Sequence, residues 1–246
     1  MDPATLAATL SAFLLAGTVK GVIGLGLPPV SLALMILVLE LPEAMAVLIV
    51  PSLVTNLWQA LSGGGTAALA RRLAPFLVPA GLFVPVGALA LTRIDLPLLS
   101  ALLGIVLTIY AASGLAGLRL ALDARRERWA APLAGVMSGT LAGMTGSFSV
   151  PTVLYLQAIG LTRDEMVQAL GVVFTILTVA LALALGGSGL ATPALWALSA
   201  LSVLPALAGM VLGRRLRHAL PERVFRPVFF SALLALGLYI AASSLL

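Results

Sequence analysis

The chain has 246 residues; 61% are apolar, 9% are charged, the formal net charge is +5 and there is no cysteine. A soluble domain carries about 25% charged residues and could not hide this much apolar surface in one core. That excludes a cytosolic enzyme, a disulfide-stapled secreted scaffold and a disordered chain. The excess of basic residues does not imply nucleic acid, because these residues lie in short loops between apolar runs. The runs are too long for the alternating strands of a barrel, which leaves an all-α integral membrane protein.

Charges and clusters drawn from the 24 glycines and 15 prolines divide the chain into ten segments. The first, 4–23, follows Asp2-Pro3 and lacks a basic lead, so it reads as an uncleaved helix rather than a signal peptide. It holds Lys20, the only lysine. Segment 28–39 reaches only about 17 Å and cannot span alone, so it reads as a broken or re-entrant half-helix. Segment 43–61 opens at Glu43 and sets Ser52, Asn56 and Gln59 on one face. Segment 73–92 is expected to bend at Pro79 and Pro85. Segment 96–118 closes the first half, and a charged linker, 119–130, follows. Segment 131–145 leads to a second short one, 150–160. Segment 164–186 opens at Glu165 and aligns Gln168, Gly171, Thr175 and Thr178. Segment 193–213 is expected to bend at Pro205, and 223–244 ends the chain. Trp129, Tyr110 and Tyr239 read as interface anchors.

A shift of 122 residues places Gly17, Gly21, Gly24, Pro29 and Glu43 on Gly139, Gly143, Gly146, Pro151 and Glu165. With small gaps, Pro79 and Gly87 fall on Pro205 and Gly213, and Ser100–Leu103 on Ser231–Leu234. The chain therefore divides into repeats 1–118 and 131–246 of about five segments each, joined by the linker. If each repeat crosses an odd number of times, Arg71, Arg72, Arg119, Arg125, Arg126, Arg128, Arg163, Arg214, Arg215, Arg217, Arg223 and Arg226 share one side. Only Arg93 takes the other. An even number would divide them six against seven. The positive-inside bias selects the odd count, with inverted repeats, cytoplasmic Arg-rich loops and both termini outside. Inverted repeats around a central site are the design of many secondary transporters.

Each repeat carries a glycine-rich break, then a proline and a short helix. Gly17/Gly21 and Gly139/Gly143 have the spacing of close helix packing. Gly24, Gly26, Thr145, Gly146, Ser147 and Ser149 flank the short helices, and two helix N-termini meeting there would make an anion site. Lys20 either attracts substrate or snorkels to a headgroup. Asn56, Gln59 and Gln168 are candidate lining residues, whereas Thr175 and Thr178 either line a path or bond their own helix. Glu43 and Glu165 read as first-turn helix carboxylates.

The run Gly17 to Pro29, the Leu41–Ala44 entry, Pro51 to Gln59 and the second copy, Gly139 to Pro151, together resemble the TauE/SafE family of sulfite and organosulfonate exporters. The resemblance covers both halves. It departs at Gly26-Leu27-Pro28-Pro29, where many relatives have three consecutive glycines. It implies a permease moving small anions such as sulfite or sulfoacetate outward across the cell membrane, with no catalytic residue, metal or cofactor. The expected partners are the anion, the lipid bilayer and a coupling ion (proton or sodium); self-association stays open. No Walker A run is present. An intramembrane enzyme has weak support: His218 lies in an Arg-rich loop, and Ser113 and Ser138 lack a neighbouring base. A non-transporting assembly protein would not need paired broken helices.

Overall fold

The computed structural model describes residues 2–62, 64–118, 121–219 and 222–245. These form an all-helical bundle: α1 (Pro3–Ile23), α2 (Leu27–Met35), α3 (Leu41–Leu61), α4 (Thr66–Ala88), α5 (Leu96–Ala116), α6 (Ala124–Thr145), α7 (Thr152–Ala158), α8 (Arg163–Ser188), α9 (Pro193–Leu201), α10 (Val203–Ala219) and α11 (Glu222–Ser243). Seven helical stretches among the described residues are long and apolar enough to cross a membrane. The protein is a multi-pass membrane protein.

Helix starts follow local chemistry. Asp2 accepts from the Thr5 N–H ahead of α1, with Pro3 in its first turn. Capping boxes open α3 and α8: Glu43 accepts from the Glu40 N–H at 3.1 Å, and Glu165 from the Thr162 N–H at 2.8 Å. Both carboxylates are the first-turn groups expected from sequence. Two helices begin earlier than the apolar pattern suggests. Helix α4 takes in Arg71 and Arg72, and α6 takes in Arg125 to Arg128 behind an Asp123 cap. Charge ends an apolar run without ending a helix. Arg119 lies outside the described residues. Over 193–213, Pro205 has no N–H for the Leu201 carbonyl, and Ser202 alone separates α9 from α10. The Ser202 N–H still donates to Leu198 and its carbonyl accepts from Ala206, so the two helices form one apolar stretch, Pro193–Leu216.

Packing is set by glycine. A Cβ on Gly17 would overlap the Ala206 carbonyl, and one on Gly21 the Met210 carbonyl. One on Gly139 would overlap Ala80, and one on Gly143 Val84. Rising numbers on both sides make α1 parallel to α10 and α4 parallel to α6. Helices α5 and α11 run antiparallel: Gly104 meets Gly237 and Ala241, while Gly114 meets Phe230. Helix α8 begins where α3 ends, with Gly171 against Ala60. The principal pairings, α1–α10, α4–α6, α3–α8 and α5–α11, are unchanged when α1, α2, α3, α4 and α5 are exchanged for α6, α7, α8, α9 with α10, and α11. Parallel α1 and α3 meet near their C-termini, where Gln59 bonds to Gly24. Helix α2 and its flanking turns therefore return the chain to the far end before α3 begins. Helix α7 does the same between α6 and α8.

One end of the bundle thus carries Arg71, Arg72, Arg125, Arg126, Arg128, Arg214, Arg215 and Arg226, while Arg93 sits at the other. Trp129 and Tyr239 are exposed, as membrane-interface anchors would be. Tyr110 is not an anchor: it is 2% exposed and packs edge-on to Phe230, 5.4 Å away.

A paired substitution tests the glycine contacts. Gly139→Val should lower the melting temperature in detergent, by overpacking worth about 1–3 kcal/mol. Gly186→Ala, in the open space on α8, should raise stability by about 1 kcal/mol. Equal melting temperatures for the two variants would contradict the packing described.

Candidate functional site

Helix α1 stops at Gly24, whose φ of 82° suits glycine and whose N–H donates to the Lys20 carbonyl. Gly26, at φ 113°, starts α2 with Leu27, Pro28 and Pro29 in its first turn. Those prolines bring no N–H, so this half-helix tip offers few of the donors that make helix N-termini anion sites. The second break has another form. Gly146 (φ 71°) caps α6 through the Ala142 carbonyl, and Ser147 to Ser149 run outside any helix into Pro151 ahead of α7.

The two breaks do not meet. Gly24 lies beside Gln59 and Val167, whereas Gly146 lies against Met45 and Leu32. Met45 and Gln59 are fourteen residues apart on α3, about 21 Å along its axis. The expected joint cradle is therefore two separate places. Lys20, Gly24, Asn56 and Gln59 gather at the first, and Gln168 stands near it on α8. Thr145, Gly146, Ser147 and Ser149 belong to the second. Gly26 faces Val19 and Phe229 in the apolar packing.

Lys20 does not snorkel. It is 3% exposed, and its Nζ donates to Thr55 Oγ1 at 3.1 Å and to Asn56 Oδ1. Thr55 can accept because its own hydroxyl proton goes to the Pro51 carbonyl at 2.8 Å. Pro51 also frees the Val47 carbonyl, which accepts from Ser199 Oγ at 2.8 Å; that same hydroxyl accepts from the Val50 N–H. The α3 backbone behind the lysine is thereby pinned to α9. An ammonium has three protons, and these bonds use two. Among the described residues no ion pair to Lys20 occurs. Asn56 Nδ2 and Ser52 Oγ, one turn apart on α3, are fully buried without a hydrogen-bond partner.

Both glutamines fasten helices, and Gln59 also lines the cleft that reaches Lys20. Gln59 Nε2 donates to the Gly24 carbonyl at 2.9 Å and the Val167 carbonyl at 2.8 Å, fastening the break to α8. Gln168 Nε2 donates to the Ala60 carbonyl at 3.0 Å and to Thr66 Oγ1 at 2.8 Å, closing the end of α3. Thr175 and Thr178 hydroxyls bond their own helix.

A cleft of about 500 Å³ runs from the Arg-rich end to Lys20 between α1, α3, α8 and α10, with Trp58, Ser62 and Arg214 at its mouth. The Arg214 guanidinium stands 6.0 Å from the centre of the Trp58 ring. The sequence reading did not pair Arg214 with Lys20, and it left Ser52 and Thr55 out of the candidate set. Gly21 against Gly213 was the available signal, because close packing there fixes the Arg214 backbone beside Lys20.

The chain matches the family described as sulfite exporter TauE/SafE over residues 9–240. It belongs to the TauE/SafE family. Members are membrane permeases of the sulfite or sulfonate exporter type, transporters rather than enzymes. Comparison with curated proteins and with solved structures found no match to either.

The Gln59 fastening in this TauE/SafE chain predicts that Gln59→Leu, which removes the shared donor to Gly24 and Val167, loses about 1–3 kcal/mol of stability. Thermal unfolding of the purified protein checks this; an unchanged midpoint would show that the break is held elsewhere.

Proposed function

We propose that this permease exports a small oxyanion, sulfite or an organosulfonate, through a site formed by Lys20, Asn56 and Ser52. One observation carries the reading: among the described residues, a buried ammonium with no carboxylate partner lies within a turn of two fully buried, unpartnered polar groups. A charge held away from water is tolerated when it is paired and hydrogen-bonded. Nδ2 of Asn56, Oγ of Ser52 and the third ammonium proton all donate, and an oxyanion has the acceptors to receive them. Members of the family are transporters, so an enzyme is not favoured.

Inverted repeats over 1–118 and 131–246 fit the antiparallel runs of α3 against α8 and α5 against α11. By the positive-inside bias, the Arg-rich end faces the cytoplasm and both termini lie outside. The cleft then opens to the cytoplasm, the side from which an exporter draws its substrate. Arg214 raises the local anion concentration at the mouth, and Lys20 receives the anion at the inner end. Transport is secondary, driven by an ion gradient or by the gradient of the anion itself. In this assignment Gln59 and Gln168 position the helices, and Thr145, Gly146, Ser147 and Ser149 do not touch the anion.

Sulfite efflux from proteoliposomes tests the reading. Lys20→Ala and Asn56→Leu, checked for monodisperse folded protein, should each lower flux by at least about tenfold, the equivalent of 1.4 kcal/mol. Wild-type rates in both would remove the site. Arg214→Gln should raise the KM for sulfite by about threefold to tenfold and weaken its dependence on ionic strength, while kcat changes little. A lowered kcat with unchanged KM would contradict the capture role.

A further inference from the structure

The second break has a chemistry of its own, and the anion site does not use it. Ser147 Oγ and Thr152 Oγ1 are both fully buried, and neither has a hydrogen-bond partner among the described residues. Ser149, 2% exposed, stands between them. The chain keeps the three residues close. Two residues of extended backbone separate Ser147 from Ser149 by at most about 7 Å. The Ser149 carbonyl accepts from the Val153 N–H at 2.9 Å, which folds Thr152 back over it in a single turn.

Three backbone positions beside the hydroxyls offer no free donor. The Gly146 N–H goes to Ala142, the Ser147 N–H goes to Thr145 Oγ1 at 3.2 Å, and Pro151 has no N–H. Position 142, which corresponds to Lys20 in the repeat, is an alanine, so no ammonium enters from α6. What α6 brings is its C-terminus, the end of a helix where carbonyls lack partners and the dipole is negative. Neutral hydroxyl and carbonyl oxygens at the electronegative end of a broken helix suit a cation. With no metal-binding cluster of Asp, Glu, His or Cys among the described residues, the charge to be matched is small. The first break has no such set: Leu25, Leu27 and Val30 stand where the second has Ser147, Ser149 and Thr152.

We propose that residues 145–152 form a sodium site, held by the hydroxyls of Ser147, Ser149 and Thr152 with carbonyls from the end of α6. The two repeats are then chemically specialised, one for an anion and one for an alkali cation, about 10–17 Å apart along α3.

The test uses the purified full-length protein with no sulfite or sulfonate present, so its outcome is independent of the Lys20 reading. Thermal unfolding is compared in sodium, potassium and choline chloride at constant ionic strength. Sodium at about one hundred times its Kd should raise the midpoint by about 5 °C over choline, more than potassium does. The double variant Ser147→Ala/Thr152→Val should lose that rise. Because the wild-type hydroxyls lack partners, its midpoint in choline should stay within about 2 °C of wild type. Equal midpoints in the three salts, or a sodium response kept by the double variant, overturn the site. Equilibrium binding of radioactive sodium to wild type decides the matter even if the variant does not fold: saturable binding displaced by excess sodium supports the site, and its absence overturns it.

Discussion

A single ammonium shapes the interior of this protein. Lys20 is held away from water by Thr55 and Asn56, with no ion pair among the described residues. A charge in that position is expensive at membrane depth, and its surroundings are arranged to support it. Pro51 sends its carbonyl to Thr55, Ser199 repairs the backbone that Pro51 interrupts, and Gln59 fastens the end of α1 next to the lysine. The lysine cannot move far without disturbing α3, α8 and α9 together.

In the proposed duplication these tasks are distributed unevenly. Both copies keep the glycine contacts that bring α1 against α10 and α6 against α4, since backbone packing tolerates no side chain there. The polar groups are not kept. Where the first copy has lysine, asparagine and glutamine at positions 20, 56 and 59, the second has Ala142, Thr178 and Leu181. Where the second has three hydroxyls, the first has Leu25, Leu27 and Val30. A shared scaffold with divergent linings lets the two breaks serve different ligands without altering how the helices pack.

Much of this was legible in residue spacing. The glycines that proved to be packing contacts have the Gly-xxx-Gly period, and α2 and α7 are too short to span. Glu43 and Glu165 stand in capping positions. The limits are equally physical. Apolar runs mark where lipid is, not where a helix ends, so α4 and α6 began earlier than expected. Gln59 and Gln168 share a face with polar neighbours, but periodicity names the face and not what lies opposite; in each case backbone carbonyls of an adjoining helix lie there. The distance between the breaks depends on α1 and α3 running parallel, which no local pattern records. Pro28 and Pro29, by contrast, already announced a helix tip poor in N–H groups.

The exchange of partners between copies bears on how the chain is assembled in the bilayer. Helix α1 rests against α10, about 190 residues later in the chain, through contacts so close that lipid tails cannot substitute for them. During synthesis at about 5–20 residues per second, its glycine-lined groove waits some ten seconds or more for the helix that fills it. Helix α4 waits far less for α6. Insertion and docking must therefore be distinct stages for α1, and until the final third of the polypeptide emerges Lys20 resides in a helix whose principal neighbour does not yet exist.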